Sequence, residues 1–436
     1  MSSYVKNILL TLNRQFLSLI VGTLTSIIIA RYLGIEDRGI YALIVLLPMT
    51  IFTLSNFGIN SSVVYYTGKK THSIEEMIQS LKLLTIVTII ISITIGLFVI
   101  ILYKEMFFKE VATSYLFVGL LFLPSLIYNS FFQSIFIGHE DFKTFNFILL
   151  LQPVIFLVLL IINLVLDYNI KGVLASELIA QYSTFILTYI YIKKEYGTHH
   201  GRPSKSLMLL KLKYGLKSHL TNILAFLDYR LDLFMVTYYL DLKAVGAYVI
   251  AVNIAEKLWM VSTSVSSVMF ARIANMVDNN EKNLITIYSA KVVFIISLII
   301  GITLYFLAEK LIVLLFGQEY SASVLPFLYL LPGIVLGAVS RVYANYIGGQ
   351  GKPEYNLYVV IILVIENFIL NMILIPKFGL AGAAMATSIA YATNFIFKIL
   401  VFKWMSKVTL VEILLPTPYE INIVKTYIKQ RKKNAK

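Results

Sequence analysis

Apolar residues run in blocks of about 20 or more along most of the chain, separated by short polar stretches. Blocks of that length are what a helix needs to cross a bilayer, and they are longer than the stripe of a water-exposed amphipathic helix. They predict spans at 8–30, 40–66, 81–103, 114–137, 145–166, 171–192, 216–240, 245–270, 288–308, 322–347, 356–375 and 380–405. The ends of the ninth and tenth are the least sharply marked, around the interrupted stretch 309–323. The expected fold class is all-α, a polytopic membrane protein of about twelve transmembrane helices. The first block, Ile8 to Ala30, is too long for the apolar region of a signal peptide and lacks a small-residue cleavage site. It reads as the first span. An even number of spans puts both termini on one side.

Composition changes this picture only by closing off alternatives. Hydrophobic residues make up 58% of the chain and charged residues 14%, too much apolar surface for a soluble core of this size to hide. No cysteine is present, which removes disulfides, thiolate nucleophiles and iron–sulfur ligation. The five histidines, His72, His139, His199, His200 and His219, show no metal-ligand spacing. No metal site and no cofactor are expected.

The net charge of +14 distributes asymmetrically. With the N-terminus inside, inward segments hold about 23 Lys and Arg and outward loops about 8, which places both termini in the cytoplasm. The charge is thus a topology signal, and nucleic acid is not an expected partner. Outward links such as Tyr32–Gly39 and Asp241–Gly246 are too short for a folded extracytoplasmic domain, which argues against a membrane enzyme. At the other end, Pro416 and Pro418 precede a basic stretch, 421–436, that reads as an amphipathic helix on anionic headgroups.

The chain also repeats itself. Tyr32-Leu33…Gly39-Ile40-Tyr41 recurs as Tyr239-Leu240…Gly246-Ala247-Tyr248, at an offset of about 207 residues. Ile137-Gly138…Phe145-Asn146 recurs as Ile347-Gly348…Tyr355-Asn356, and Gly172…Ile179-Ala180 as Gly382…Ile389-Ala390, at about 210. The expected organisation is an N-terminal six-helix half (1–195), a basic cytoplasmic linker (196–215), a C-terminal six-helix half (216–407) and a basic tail (408–436). Halves of six helices insert in the same orientation, an arrangement suited to alternating access.

Several of these segments resemble a known family. Ile29-Ala30-Arg31-Tyr32-Leu33-Gly34…Arg38-Gly39-Ile40-Tyr41 and Leu54-Ser55-Asn56-Phe57-Gly58-Ile59-Asn60 are similar to the opening of the polysaccharide flippases. These export O-antigen and capsule units and belong to the multidrug/oligosaccharidyl-lipid/polysaccharide (MOP) superfamily. Asp228–Asp232 followed by Val245-Gly246-Ala247-Tyr248 resembles the start of their second half, and Gly379–Thr387 their last span. The resemblance runs from about residue 5 to about 405 and implies two six-helix bundles around a V-shaped, MATE-like cavity. It further implies an undecaprenyl-pyrophosphate-linked oligosaccharide as substrate, with membrane lipid and polysaccharide-polymerising machinery as partners. Alternatives within the superfamily are a cation-coupled drug exporter and a flippase for the peptidoglycan precursor lipid II.

Charges inside spans are costly and mark candidate sites. Arg14 lies on a polar stripe with Asn7, Thr11, Ser18 and Thr25, about a turn into its span, where snorkelling to the interface is the competing role. Asn56 and Asn60 share a face of the second span, Arg230 lies in the seventh, Asn253 and Lys257 share a face of the eighth, and Arg341 lies in the tenth. These seven are the candidate substrate-binding residues, the cations because a pyrophosphate in transit needs counter-charges and guanidinium grips phosphate bidentately. Asp228 and Asp232, four apart in the seventh span, and Glu256 in the eighth are candidates for binding a coupling H+ or Na+, or for pairing with those cations. Glu366 and Lys398 rank below them.

Overall fold

The computed structural model describes residues 3–69, 72–197, 203–260, 262–263, 273, 276 and 278–415. His199-His200, most of the eighth span after Met260 and the tail helix expected over 421–436 lie outside the described residues. Within them the chain is helical, with no strand. The helices are α1 (Ser3–Ser55), α2 (Ile59–Lys69), α3 (Ile74–Phe107), α4 (Thr113–Leu120), α5 (Phe122–Gly138), α6 (Phe142–Leu166), α7 (Asn169–Tyr196), α8 (Lys205–Tyr239) and α9 (Leu242–Glu256). There follow α10 (Asn279–Phe316), a 3₁₀ turn (Gln318–Ser323), α11 (Val324–Gly349), α12 (Pro353–Phe378), α13 (Leu380–Ser406) and the short α14 (Leu410–Leu414).

Nine of the described helices are long and apolar enough to cross a membrane. The first, Leu10–Ser55, has 46 residues, which at about 1.5 Å per residue is more than twice the thickness of a hydrocarbon core. It therefore supplies two passes, divided at Gly34, whose φ of 73° leaves the helical region. Two expected spans complete the set. The eighth falls on α9, which has only 15 residues, and the seventh on α8, which carries Asp228, Arg230 and Asp232. The surface agrees with a lipid solvent: Val165 is 82% exposed, Ile101 77% and Phe306 77%, an arrangement water would penalise. The protein is an integral membrane protein with multiple passes.

Among the element boundaries that differ from the sequence expectation, four have a local reason. The second span, expected unbroken over 40–66, stops at Ser55 and restarts at Ile59, because Phe57 and Gly58 adopt φ of 48° and 64°. The fourth divides into α4 and α5 at Leu121, just ahead of Pro124, which has no N–H to continue the ladder. Past 308, the expected end of the ninth, α10 continues to Phe316 and ends at Gly317, φ 107°. Finally, α8 starts at Lys205, where the Ser204 hydroxyl accepts the Leu207 N–H as an N-cap.

By its internal contacts the chain divides into two compact units, Met1–Asn253 with Leu307–Phe327 and Asn367–Ala386, and Ile254–Phe306 with Leu328–Glu366 and Thr387–Lys436. In the first, α1 packs on α6 and α7, and α2 on α5 and α8. The second arm of α1 (35–55) also crosses α9 at close range. A Cβ on Gly39 would run into the Leu242 carbonyl oxygen, and a Cβ on Gly246 into that of Ile35. Leu242 stands to Ile35 as Gly246 stands to Gly39 in the repeated frame. Such reciprocity is what a local two-fold relation between repeats produces. Within the second unit, the Tyr346 hydroxyl donates to Asn283 Oδ1 at 2.6 Å and the Gly333 N–H to the Ser388 hydroxyl at 2.8 Å.

Candidate functional site

The crossing of α1 and α9 brings their next turns, and the end of α8, around a cleft of about 190 Å³. From α1 it is lined by Arg38, Tyr41, Ala42, Val45, Leu46 and Met49. From α8 come Arg230, Asp232 and Leu233, and from α9 Tyr248, Val249, Val252 and Asn253. The lining combines charged and polar side chains with Val, Leu and Met side chains. Two guanidinium groups in one cleft of a membrane-embedded unit are expensive, each of order 3 kcal/mol at bilayer depth.

The two tyrosines occupy equivalent places in the repeat, and each is tied to a carboxylate from another helix. The Tyr41 hydroxyl donates to Glu177 Oε2 of α7 at 2.5 Å. The Tyr248 hydroxyl donates to Asp232 Oδ2 of α8 at 2.7 Å, while Asp232 Oδ1 accepts its neighbour Leu233 N–H, also at 2.7 Å. The repeats part at the position three residues before each tyrosine. The first has Arg38, the second Val245. Arg38 is only 5% exposed, its guanidinium carbon sits 5.2 Å from the centre of the Tyr41 ring, and its Nε has no hydrogen-bond partner among the described residues. Arg230 Nη1 donates to the Tyr229 carbonyl at 3.2 Å.

Of the residues singled out by sequence, the cleft brings together Arg230, Asp232 and Asn253. Asp228, on the same helix as Asp232, is not part of its lining. Arg14 is elsewhere in the first unit, with Nε donating to Asn146 Oδ1 at 3.0 Å, and Asn146 donating in turn to the Thr11 hydroxyl. Asn56 serves the break between α1 and α2: its Oδ1 accepts the Gly58 N–H at 2.7 Å and its Nδ2 donates to the Thr53 carbonyl at 3.3 Å. Asn60 Oδ1 is buried with no hydrogen-bond partner among the described residues. In the second unit, Arg341 lies 4.0 Å over the Trp259 ring, a cation–π contact, and Tyr391 meets that ring edge-on. Glu256 and Lys257, both half-buried, also fall in that unit. Glu366 Oε1 accepts the Thr393 hydroxyl at 2.8 Å.

Arg38, Tyr41, Glu177 and Tyr248 belong to the site and were not among the sequence candidates. Glu177 carried a usable signal, since it is a lone carboxylate inside the predicted sixth span. Arg38 did not, because hydropathy places it in an outward link. Among the described residues no group of three or more His, Asp or Glu could hold a metal ion. The cleft thus carries two arginines on separate helices, Arg38 and Arg230, together with Asp232 and the two tyrosines.

Comparison with known proteins bears on this geometry. Residues 4–277 match the family described as polysaccharide biosynthesis protein, and residues 218–373 match the MatE family. The uncharacterized membrane protein MJ1068 of Methanocaldococcus jannaschii is 26% identical over 295 residues, 64% of this chain and 57% of its own length. The probable low-salt glycan biosynthesis flippase Agl15 of Haloferax volcanii is 25% identical over 169 residues, 38% of this chain and 35% of its own. The chain thus spans about half and about a third of these two relatives. Capsular polysaccharide biosynthesis protein CapF of Staphylococcus aureus is 26% identical over 407 residues, covering 88% of this chain and 96% of that one. The solved structure of the lipid II flippase MurJ, in an inward closed conformation, shares the fold with a TM-score of 0.76 at 17% identity, over 93% of this chain and 89% of that one. With one family model matched over well more than half of the chain, the protein belongs to the family of polysaccharide biosynthesis proteins.

Proposed function

We propose that the protein is a flippase that carries an undecaprenyl-pyrophosphate-linked oligosaccharide across the cytoplasmic membrane by alternating access of two six-helix halves, with both termini cytoplasmic. The observation that carries the reading is the presence of Arg38 and Arg230 in one cleft that Val, Leu and Met side chains also line. A lipid-linked pyrophosphate has the complementary form, a doubly charged head on an apolar tail. Guanidinium groups stay charged when desolvated and bind phosphate oxygens in a fork. The cleft is large enough for a headgroup and not for the whole substrate, so the sugars would occupy other space. A drug exporter for cationic compounds would be served by an acidic or aromatic site, and the arginines argue against it. H+ or Na+ is proposed as the coupling ion, with the carboxylates near these arginines as candidate carriers.

The test is a deletion strain complemented with wild type, R38Q, R230Q or the double variant, with lipid-linked intermediates extracted from its membranes. Loss of surface polysaccharide and accumulation of the complete lipid-linked unit in the deletion, unrelieved by the double variant at wild-type protein levels, is the expected result. Full surface polysaccharide in the deletion, with no accumulated intermediate, contradicts the proposal. A shift in drug susceptibility alone would instead favour an exporter.

A further inference from the structure

The asymmetry between the two repeats asks for an explanation. Tyr41 and Tyr248 stand in equivalent positions and each donates to a carboxylate of another helix, so the tyrosine–carboxylate contact belongs to the duplicated frame. Only the first copy adds an arginine, Arg38, where the second has Val245. That arginine packs its cationic plane on the Tyr41 ring, and the Tyr41 hydroxyl is held by Glu177. A hydroxyl that donates to an anion makes its ring richer in electrons, and a richer ring holds a cation more firmly. Glu177 therefore acts on Arg38 both through Tyr41 and by direct charge attraction.

Few charged groups lie on the helices packed against Glu177 among the described residues. Glu177 is carried by α7, which packs against α1, α5 and α6. Helix α5 contains no Asp, Glu, Lys, Arg or His, and α6 contains only Lys143 near its start. Asp167, at the C-cap of α6, is engaged by the Tyr32 hydroxyl at 3.2 Å. Around Arg38 itself the electrostatic neighbours are Tyr41, Tyr320 and Glu177. The Tyr320 hydroxyl is already committed to the Ala30 carbonyl at 3.0 Å. Glu177 is thus the carboxylate that acts on Arg38 from α7, while Arg38 Nε has no hydrogen-bond partner among the described residues and the side chain lines the cleft that Asp232 also lines.

We propose that Glu177 is a positioning residue that competes with the anionic substrate for Arg38, through Tyr41, and so makes the headgroup releasable. A pyrophosphate entering the cleft draws Arg38 towards itself against the pull of Glu177 and the Tyr41 ring. When the substrate leaves, Arg38 returns to them and its charge is not stranded in a low-dielectric site. Without the carboxylate, Arg38 would hold the anion more tightly and let it go more slowly. The inference rests on the anionic substrate proposed above.

The sign of the effect separates this role from a structural one. The full-length protein, purified in detergent, is titrated with farnesyl pyrophosphate and with inorganic pyrophosphate, and each variant's melting temperature is recorded. E177Q keeps an acceptor for the Tyr41 hydroxyl but removes the charge, and Y41F removes the relay. Both are expected to bind the probes about fivefold or more tightly than wild type, while supporting less surface polysaccharide in cells. E177D is expected to restore both values, and R38Q to lose affinity about tenfold. Unchanged or weakened affinity in folded E177Q and Y41F overturns the role given to Glu177. Melting collapse of E177Q, Y41F and E177D together also overturns it, by assigning the residue to stability. If R38Q binds as wild type does, the failure lies in the proposed anion site rather than in Glu177.

Discussion

Lys211 shows what a single buried charge does to this protein. It lies on α8 ahead of the membrane span, has no exposed surface, and donates to the Met77 carbonyl at 3.0 Å. Burial pushes its ammonium down to about 7, with Glu76 opposing. A base whose folded value lies below its unfolded one binds fewer protons when folded, so stability rises with pH between about 7 and the unfolded value of about 10.4. Below about 7 the penalty is fully present. We predict that the melting temperature of the wild type climbs from pH 6.5 to pH 9 and that K211M flattens the climb; equal slopes for the two proteins would contradict it. The residue stands in a segment that reads as a basic, solvated linker, and nothing in its neighbours announces burial. Glu177 is the opposite case: a carboxylate between apolar turns of a predicted span, legible by the rule that drew attention to Asp228 and Asp232. Arg38 was hidden for a physical reason, because its burial depends on a helix that returns about 207 residues later.

At the level of elements, the repeated glycines set the geometry of the site. Gly39 and Gly246 allow the second arm of α1 to touch α9 backbone to backbone, and that contact places their near neighbours Arg38, Tyr41 and Tyr248 around the cleft. G39A or G246A should cost about 1–3 kcal/mol as overpacking at a contact with no room to relax, with loss of surface polysaccharide. G22A, where an added Cβ meets nothing within 4 Å, should leave melting and activity unchanged. Thermal unfolding of the three variants decides this, and a harmless G39A would mean the crossing can open without cost. The helices themselves were legible from the spacing of apolar blocks, and the frame containing both glycines from self-comparison of the chain. Neither could show that the two copies of the frame meet. The interruptions were less legible: the Phe57-Gly58 break depends on two positive φ values stabilised by the Asn56 side chain, which reads in sequence as one more polar residue on a membrane helix. N56A should lose about 1 kcal/mol through that cap-like contact, measurable by the same melts.

For the whole molecule, the chain's membership in the polysaccharide biosynthesis family and its multi-pass helical fold frame the account, while the chemistry comes from the cleft. Order and spacing of short motifs made the family legible; no single motif would have. The central claim is that a lipid-linked anion is moved across a bilayer with the help of Arg38 and Arg230. Its most direct test is reconstitution of the purified protein in liposomes containing a fluorescent undecaprenyl-pyrophosphate-linked oligosaccharide, with the outer leaflet probed by a membrane-impermeant quencher. The account predicts that wild-type protein makes the inner-leaflet pool accessible and that the R38Q/R230Q variant does not, at equal reconstitution. Quenching no faster than in protein-free liposomes, or equally fast with both arginines replaced, would contradict it.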